Sequence, residues 1–220
     1  MKDQEIIDQT IAFVQKTLQN AEGGHDWHHT QRVFMNSRHI AESENTDPLV
    51  VSLGALLHDI ADAKFYDGDE TVGPKLAKEF LESIGVDSAI ITHVVNIINH
   101  ISFKNSLSHD GFAKFNSKEL QVVQDADRLD AIGAIGIARA FNYGGFKNRE
   151  LYNPEIAPNL DMTKEEYKIS ASPTLNHFYE KLLLLKDKMN TPTGKKMAEE
   201  RHDYMQDFLA QFFKEWNGKL

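Results

Sequence analysis

The 220-residue chain contains no cysteine, which excludes disulfides, thiolate nucleophiles and cysteine-ligated zinc or iron–sulfur sites together. Its longest unbroken apolar stretches are only a few residues, far short of a membrane-spanning helix. It also lacks a basic stripe. Lys and Arg number 24 against 33 Asp and Glu, a net charge of −9, and no run of cations is long enough to track a phosphate backbone. Neither a nucleic-acid polymer nor a membrane is expected as a partner. The opening MKDQEIIDQT does not have the basic-then-apolar profile of a signal peptide, so a cytoplasmic location fits best. Hydrophobic residues at 41% and charged residues at 26% are ordinary for a globular protein and wrong for a disordered one. The abundance that stands out is ten histidines.

The periodicity predicts helix after helix, with few strand signals, no repeat and no linker: an all-α, single-domain bundle. Residues 3–20 place Ile6, Ile7, Ile11, Phe13, Val14 and Leu18 at helical spacing before Gly23-Gly24 breaks the pattern. A second helix is expected from about Asp26 to Glu44. Asp47-Pro48 opens a third, which is apolar on nearly every side through Val50–Ala61 and therefore belongs at the centre of the protein. Further helices are expected at about 74–84, 87–101 and 118–140, the last capped by Ser117. The aromatic, Gly- and Asn-rich stretch 141–159 reads as a long functional loop. Thr163–Glu166 has a capping-box pattern, and helices at about 174–190 and 192–217 form a C-terminal extension.

Three places put metal-competent groups where helix packing favours apolar ones. In His25-Asp26-Trp27-His28-His29-Thr30-Gln31-Arg32, His25, His29 and Arg32 share one helix face, either as ligands or as a surface cap. His58-Asp59 ends the all-apolar helix, and Asp62 follows one turn later. A carboxylate there needs a cation or firm hydrogen bonds; the bland alternative is a His–Asp pair tied to the helix C-terminus. In Asp125-Ala126-Asp127-Arg128-Leu129-Asp130, Asp127 shares its stripe with Val123, Ala131, Ala134 and Ala138. It needs a partner, and either a metal or a salt bridge, Asp127–Arg128 or Asp130 with an arginine, would serve.

Taken in order, these pieces resemble the HD-domain superfamily of metal-dependent phosphohydrolases. His29 in its H-x-x-R-V setting looks like the first family histidine, His58-Asp59 is the doublet that names the family, and Asp127 looks like the closing aspartate. The strings HDWHHTQRV, LLHDIAD and DADRLDAIGAIGIARA are similar to a bacterial subgroup of this length, some members of which are deoxynucleoside triphosphate pyrophosphohydrolases. The resemblance implies an HD-type bundle with a metal-binding core at about 25–140 and C-terminal helices at about 160–217. It implies His29, His58, Asp59 and Asp127 as ligands of one divalent ion. Asp62 stands where some members carry a catalytic carboxylate; its alternative role is to support His58. No Gly-Tyr-Pro signature follows the doublet, against a cyclic di-GMP phosphodiesterase.

Two imidazoles and two carboxylates favour Mn²⁺ or Fe²⁺, with Mg²⁺, Co²⁺ or Ni²⁺ able to substitute. Arg32, Arg128, Lys104 and His100 lie near the ligands in sequence and are the candidate phosphate contacts; His93, two turns before His100, reads more simply as packing. The expected substrate is a small phosphorylated molecule, a nucleotide first, entering under the 141–160 stretch where Phe141, Tyr143, Phe146 and Tyr152 could stack on a base. A homodimer is compatible with all of this. The rival is a non-catalytic helical module that binds a nucleotide or metal for regulation, since function lives in sites and not in folds.

Overall fold

The computed structural model describes residues 2–19, 26–61, 69, 71–101, 115–161 and 172–219. His25, Asp62, Lys104 and the Thr163–Glu166 pattern lie outside them. Among the described residues there is no strand, and no helix is long and apolar enough to cross a membrane. The chain divides into two compact units, Met1–Asp127 and Arg128–Leu220.

The first unit is built around α3 (Pro48–Leu57). Asp47 caps it, its carboxylate accepting from Leu49 N and Val50 N, and Pro48 takes the first turn, where a missing N–H costs nothing. Every residue from Leu49 to Leu57 is buried, as the all-round apolar pattern requires. Helices α1 (Asp3–Thr17), α2 (Trp27–Ala41) and α5 (Ser88–His100) pack on it, and α4 (Val72–Ser83) packs on α5. α1 turns Ile6, Thr10 and Val14 inward. α2 turns in His29, Val33, Phe34, Ser37 and Ile40, so a histidine occupies the first position of an otherwise core-facing stripe. The unit closes with the first ten residues of α6 (Lys118–Asp130), whose N-terminus is capped by Ser117: Leu120 N donates to Ser117 Oγ at 3.0 Å.

α6 ends ten residues before the expected boundary. Ala131 N and Ile132 N bond back to Arg128 O and Leu129 O in tight three-residue steps, and Gly133 has φ +73°, a left-handed conformation that cannot continue a right-handed helix. α7 (Gly133–Phe146) then starts afresh. Ala134 and Ala138 therefore belong to a different helix from Asp127 and do not extend its stripe. The 141–159 stretch is also not one loop, because its first part completes α7.

The second unit holds α7, the short α8 (Asn176–Glu180), a 3₁₀ segment (Leu182–Lys188) and α9 (Pro192–Trp216). The single helix expected at 174–190 is broken at Lys181, at φ −145°. The following Leu run buries Leu182 and Leu185, a spacing of three that suits a three-residue turn better than a 3.6-residue one. Thr191 caps α9, accepting from Gly194 N at 3.0 Å. Phe141, Phe178 and Phe208 meet at centroid separations of 5.9–6.0 Å, and Tyr152 packs edge-on against Phe213 and Trp216.

Candidate metal centre

Three local devices deliver side chains to one spot in the first unit. The N-cap of α2, Asp26, accepts from His29 N at 2.9 Å, which fixes the backbone of His29 in the first turn; its imidazole is buried. His58 sits just past the end of α3 with the helical twist retained. Its Nδ1 lies 2.8 Å from Ala55 O. A carbonyl only accepts, so Nδ1 carries the proton and Nε2 is the ring nitrogen left to face the cluster. The same bond satisfies one of the carbonyls that a helix C-terminus leaves orphaned. α6 supplies Asp127, one turn beyond the buried Val123.

Donor atoms of His29, His58 and Asp59 all lie within 4.8 Å of one another. The two rings are 5.4 Å apart at 68°. Asp127 Oδ1 stands 3.5 Å from His29 Nε2 and 3.9 Å from His58 Nε2, too far for hydrogen bonds. Two atoms on one cation with bonds of roughly 2.0–2.4 Å can be no more than about 4.8 Å apart. Two buried imidazoles, with Asp59 and Asp127 each within that limit of both, fit a divalent ion. Of the four residues the motif singled out, the fold brings His29, His58 and Asp59 into one cluster and sets Asp127 against both rings.

A family model described as "HD domain" matches residues 26–132. An HD-superfamily hydrolase from Bacillus thuringiensis is 42% identical, covering 98% of this chain and 99% of that one, with a TM-score of 0.78. The chain belongs to the HD domain family. One further relative agrees along the whole length. YpgQ of Bacillus subtilis is 38% identical over 222 residues, 99% of this chain and 97% of that protein. Its crystal structure in complex with ADP matches with a TM-score of 0.76 at 36% identity, over 98% of this chain and 97% of that one. HD domains are metal-dependent, and the His29–His58–Asp59 cluster falls inside the matched segment of this HD chain.

The expected phosphate contacts are less uniform. Arg32 is half-buried in α2, one turn past His29. Arg128 Nη1 donates to Lys188 O at 2.7 Å, holding the end of the 3₁₀ segment within the second unit. His100 Nδ1 lies 2.8 Å from Asn96 O in its own helix, with its ring against Phe115. The alternative salt bridge named for the α6 acids does form at Asp130, which pairs with Arg139. Sequence reading missed the fully buried Asp125 and the polar partners of His93, which lies 2.9 Å from Ser117 Oγ and 3.4 Å from Glu119 Oε2. A Ser cap followed two residues later by Glu was the available signal for those partners.

Proposed function

We propose that this HD domain is a metal-dependent phosphohydrolase acting on a small phosphorylated substrate, a nucleotide above all. The observation that carries the reading is the buried pair His29 and His58 gathered with Asp59 and faced by Asp127. These four would hold one divalent cation, with Mn²⁺ or Fe²⁺ best suited to two imidazoles and two carboxylates. When bound, the ion supplies Lewis acidity for phosphorus–oxygen cleavage and a more acidic water. The chain's own parts are orientation and charge. Ala55 O keeps His58 in the tautomer that offers Nε2. Asp59 and Asp127 balance the two positive charges of the cation, so the buried imidazoles need not be protonated. Asp62 takes the proton of the attacking water as the new oxygen–phosphorus bond forms and the bond to the leaving group breaks. Arg32, one turn from His29, meets the substrate's phosphate charge, with Lys104, His100 and Arg128 as the remaining candidates.

The nucleotide assignment is supported by the ADP complex of YpgQ and by the absence of a basic stripe for a polymer. The likeness to deoxynucleoside triphosphate pyrophosphohydrolases makes pyrophosphate release the expected chemistry. The test is a screen of nucleoside mono-, di- and triphosphates with Mn²⁺, reading phosphate directly and pyrophosphate after added pyrophosphatase. Triphosphates should score only after pyrophosphatase, and Asp59→Ala should be silent while its helical circular dichroism is retained. Metal uptake with no hydrolysis of any nucleotide, under Mn²⁺, Fe²⁺, Mg²⁺, Co²⁺ or Ni²⁺, would instead leave a binding module.

A further inference from the structure

Three contacts join α3 to α6, and they come in the same order along both helices. At the start, Glu119 Oε1 accepts from Asp47 N at 3.0 Å, so an acid in the first turn of α6 holds the residue that caps α3. In the middle, Gly54 offers no side chain, and a Cβ there would lie 3.5 Å from Val123 Cγ2. At the end, His58 Nε2 faces Asp127 Oδ1 at 3.9 Å. Gly54 to His58 is about one turn, and so is Val123 to Asp127. The two helices therefore run in the same direction and in step over this last turn, while Asp47 stands seven residues before Gly54 and Glu119 four before Val123. Helical side chains lean toward the N-terminus, which is what brings Glu119 within reach of Asp47.

Gly54 presents no side chain to interlock with α6, so the packing at that point fixes the axial position less sharply than interdigitated side chains would. A hydrogen bond is directional and does fix it. The Glu119 carboxylate is itself braced: Oε2 lies 3.4 Å from His93 Nε2 on α5, His93 also contacts Ser117 Oγ at 2.9 Å, and Glu119 is only 13% exposed. We infer that Glu119, backed by His93 and Ser117, is a positioning residue that sets the axial register of α6 on α3 and thereby the separation of Asp127 from His58. A helix is stiff along its axis, so a slip at the N-terminal ends arrives undiminished at the C-terminal ends where the ligands stand. The inference rests on reading that cluster as a metal centre.

The experiment compares Glu119→Ala, which removes the acceptor, with Glu119→Gln, which keeps a carbonyl oxygen for Asp47 N. Leu81→Val, a core truncation in α4, controls for simple loss of stability. By calorimetric titration with Mn²⁺ alone, Glu119→Ala should bind about tenfold more weakly and Glu119→Gln within about twofold of wild type. Leu81→Val should lower Tm without moving Mn²⁺ affinity. Wild-type affinity in Glu119→Ala, or an equal loss in Leu81→Val, overturns the positioning role. Metal-free crystal structures decide it independently: the His58 Nε2–Asp127 Oδ1 separation should leave 3.9 Å in Glu119→Ala and stay there in Glu119→Gln. An unchanged separation in Glu119→Ala overturns the inference whether or not any metal binds. Failure of the wild type to take up Mn²⁺ would sink the metal reading alone.

Discussion

His58 carries two interactions on one ring: Nδ1 serves the end of its own helix through Ala55 O, and Nε2 serves the cluster. One side chain thus serves the helix end and still turns Nε2 toward Asp127. That much of the site was legible because each candidate ligand sits where a core stripe would otherwise be apolar. His29 heads the buried face of α2, and His58 follows an unbroken buried helix. The phosphate contacts were less legible because nearness in sequence does not fix where a long cation points, as Arg128 shows by bonding Lys188 O. His177 lies in the second unit. Burial, with Lys181 and Arg149 nearby, pushes its pKa down to about 4 from an ordinary 6.5. Because the folded value is the lower one, the unfolded chain takes up the proton first as pH falls. The stability due to the neutral ring is complete above about 6.5 and is lost toward about 4, by up to about 1.4 kcal/mol per pH unit. Urea midpoints measured from pH 7.5 to 4.5 should therefore fall more steeply for wild type than for His177→Gln. Parallel curves would mean that His177 titrates normally.

Among the elements, α3 depends on the side chain that Gly54 lacks. A Cβ on Gly54 would meet Ile97 Cδ1 at 3.1 Å and Ile97 Cγ2 at 3.3 Å, so α5 approaches α3 as closely as a glycine permits. Gly54→Val should cost about 1–3 kcal/mol through overpacking, read as a lower Tm or urea midpoint. Adding Ile97→Ala should restore part of it, so that the double variant is more stable than the sum of the two single losses. Strict additivity would show that the tight approach is not the cause. The helices of the first unit were legible because period, Asp caps and Pro48 agree with one another, and tertiary packing had nothing to overrule. In the second unit they were less so. Gly133 falls inside the helix expected at about 118–140, whereas its left-handed φ ends α6 and starts α7. The Tyr and Phe residues after it looked like loop aromatics because the flanking glycines suggested turns. Gly144 is in fact buried within α7, where a Cβ would lie 2.1 Å from Thr174 Oγ1, so that glycine marks close packing.

At the scale of the whole molecule, the charge of −9 and the family membership pull in compatible directions. An acidic protein repels a polyanion, but a small phosphate ester can still bind where a divalent ion and a few cations offset its charge locally. The residues proposed for that purpose, His29, His58, Asp59 and Asp127, all lie in the first unit, and they come from three separate segments: the start of α2, the end of α3 and the end of α6. A cation shared by three segments must oppose the local opening of each, since opening any one of them gives up a ligand. At a hundred times its dissociation constant the ion adds about 2.7 kcal/mol to any opening that releases it. Hydrogen exchange with and without Mn²⁺ should therefore slow together at the amides around His29, His58 and Asp127, and chelator should reverse all three. Protection limited to one of the segments, or appearing instead in α7 to α9, would mean that the ion is held by a different set of residues and that the convergence of the motif in space is not what binds it.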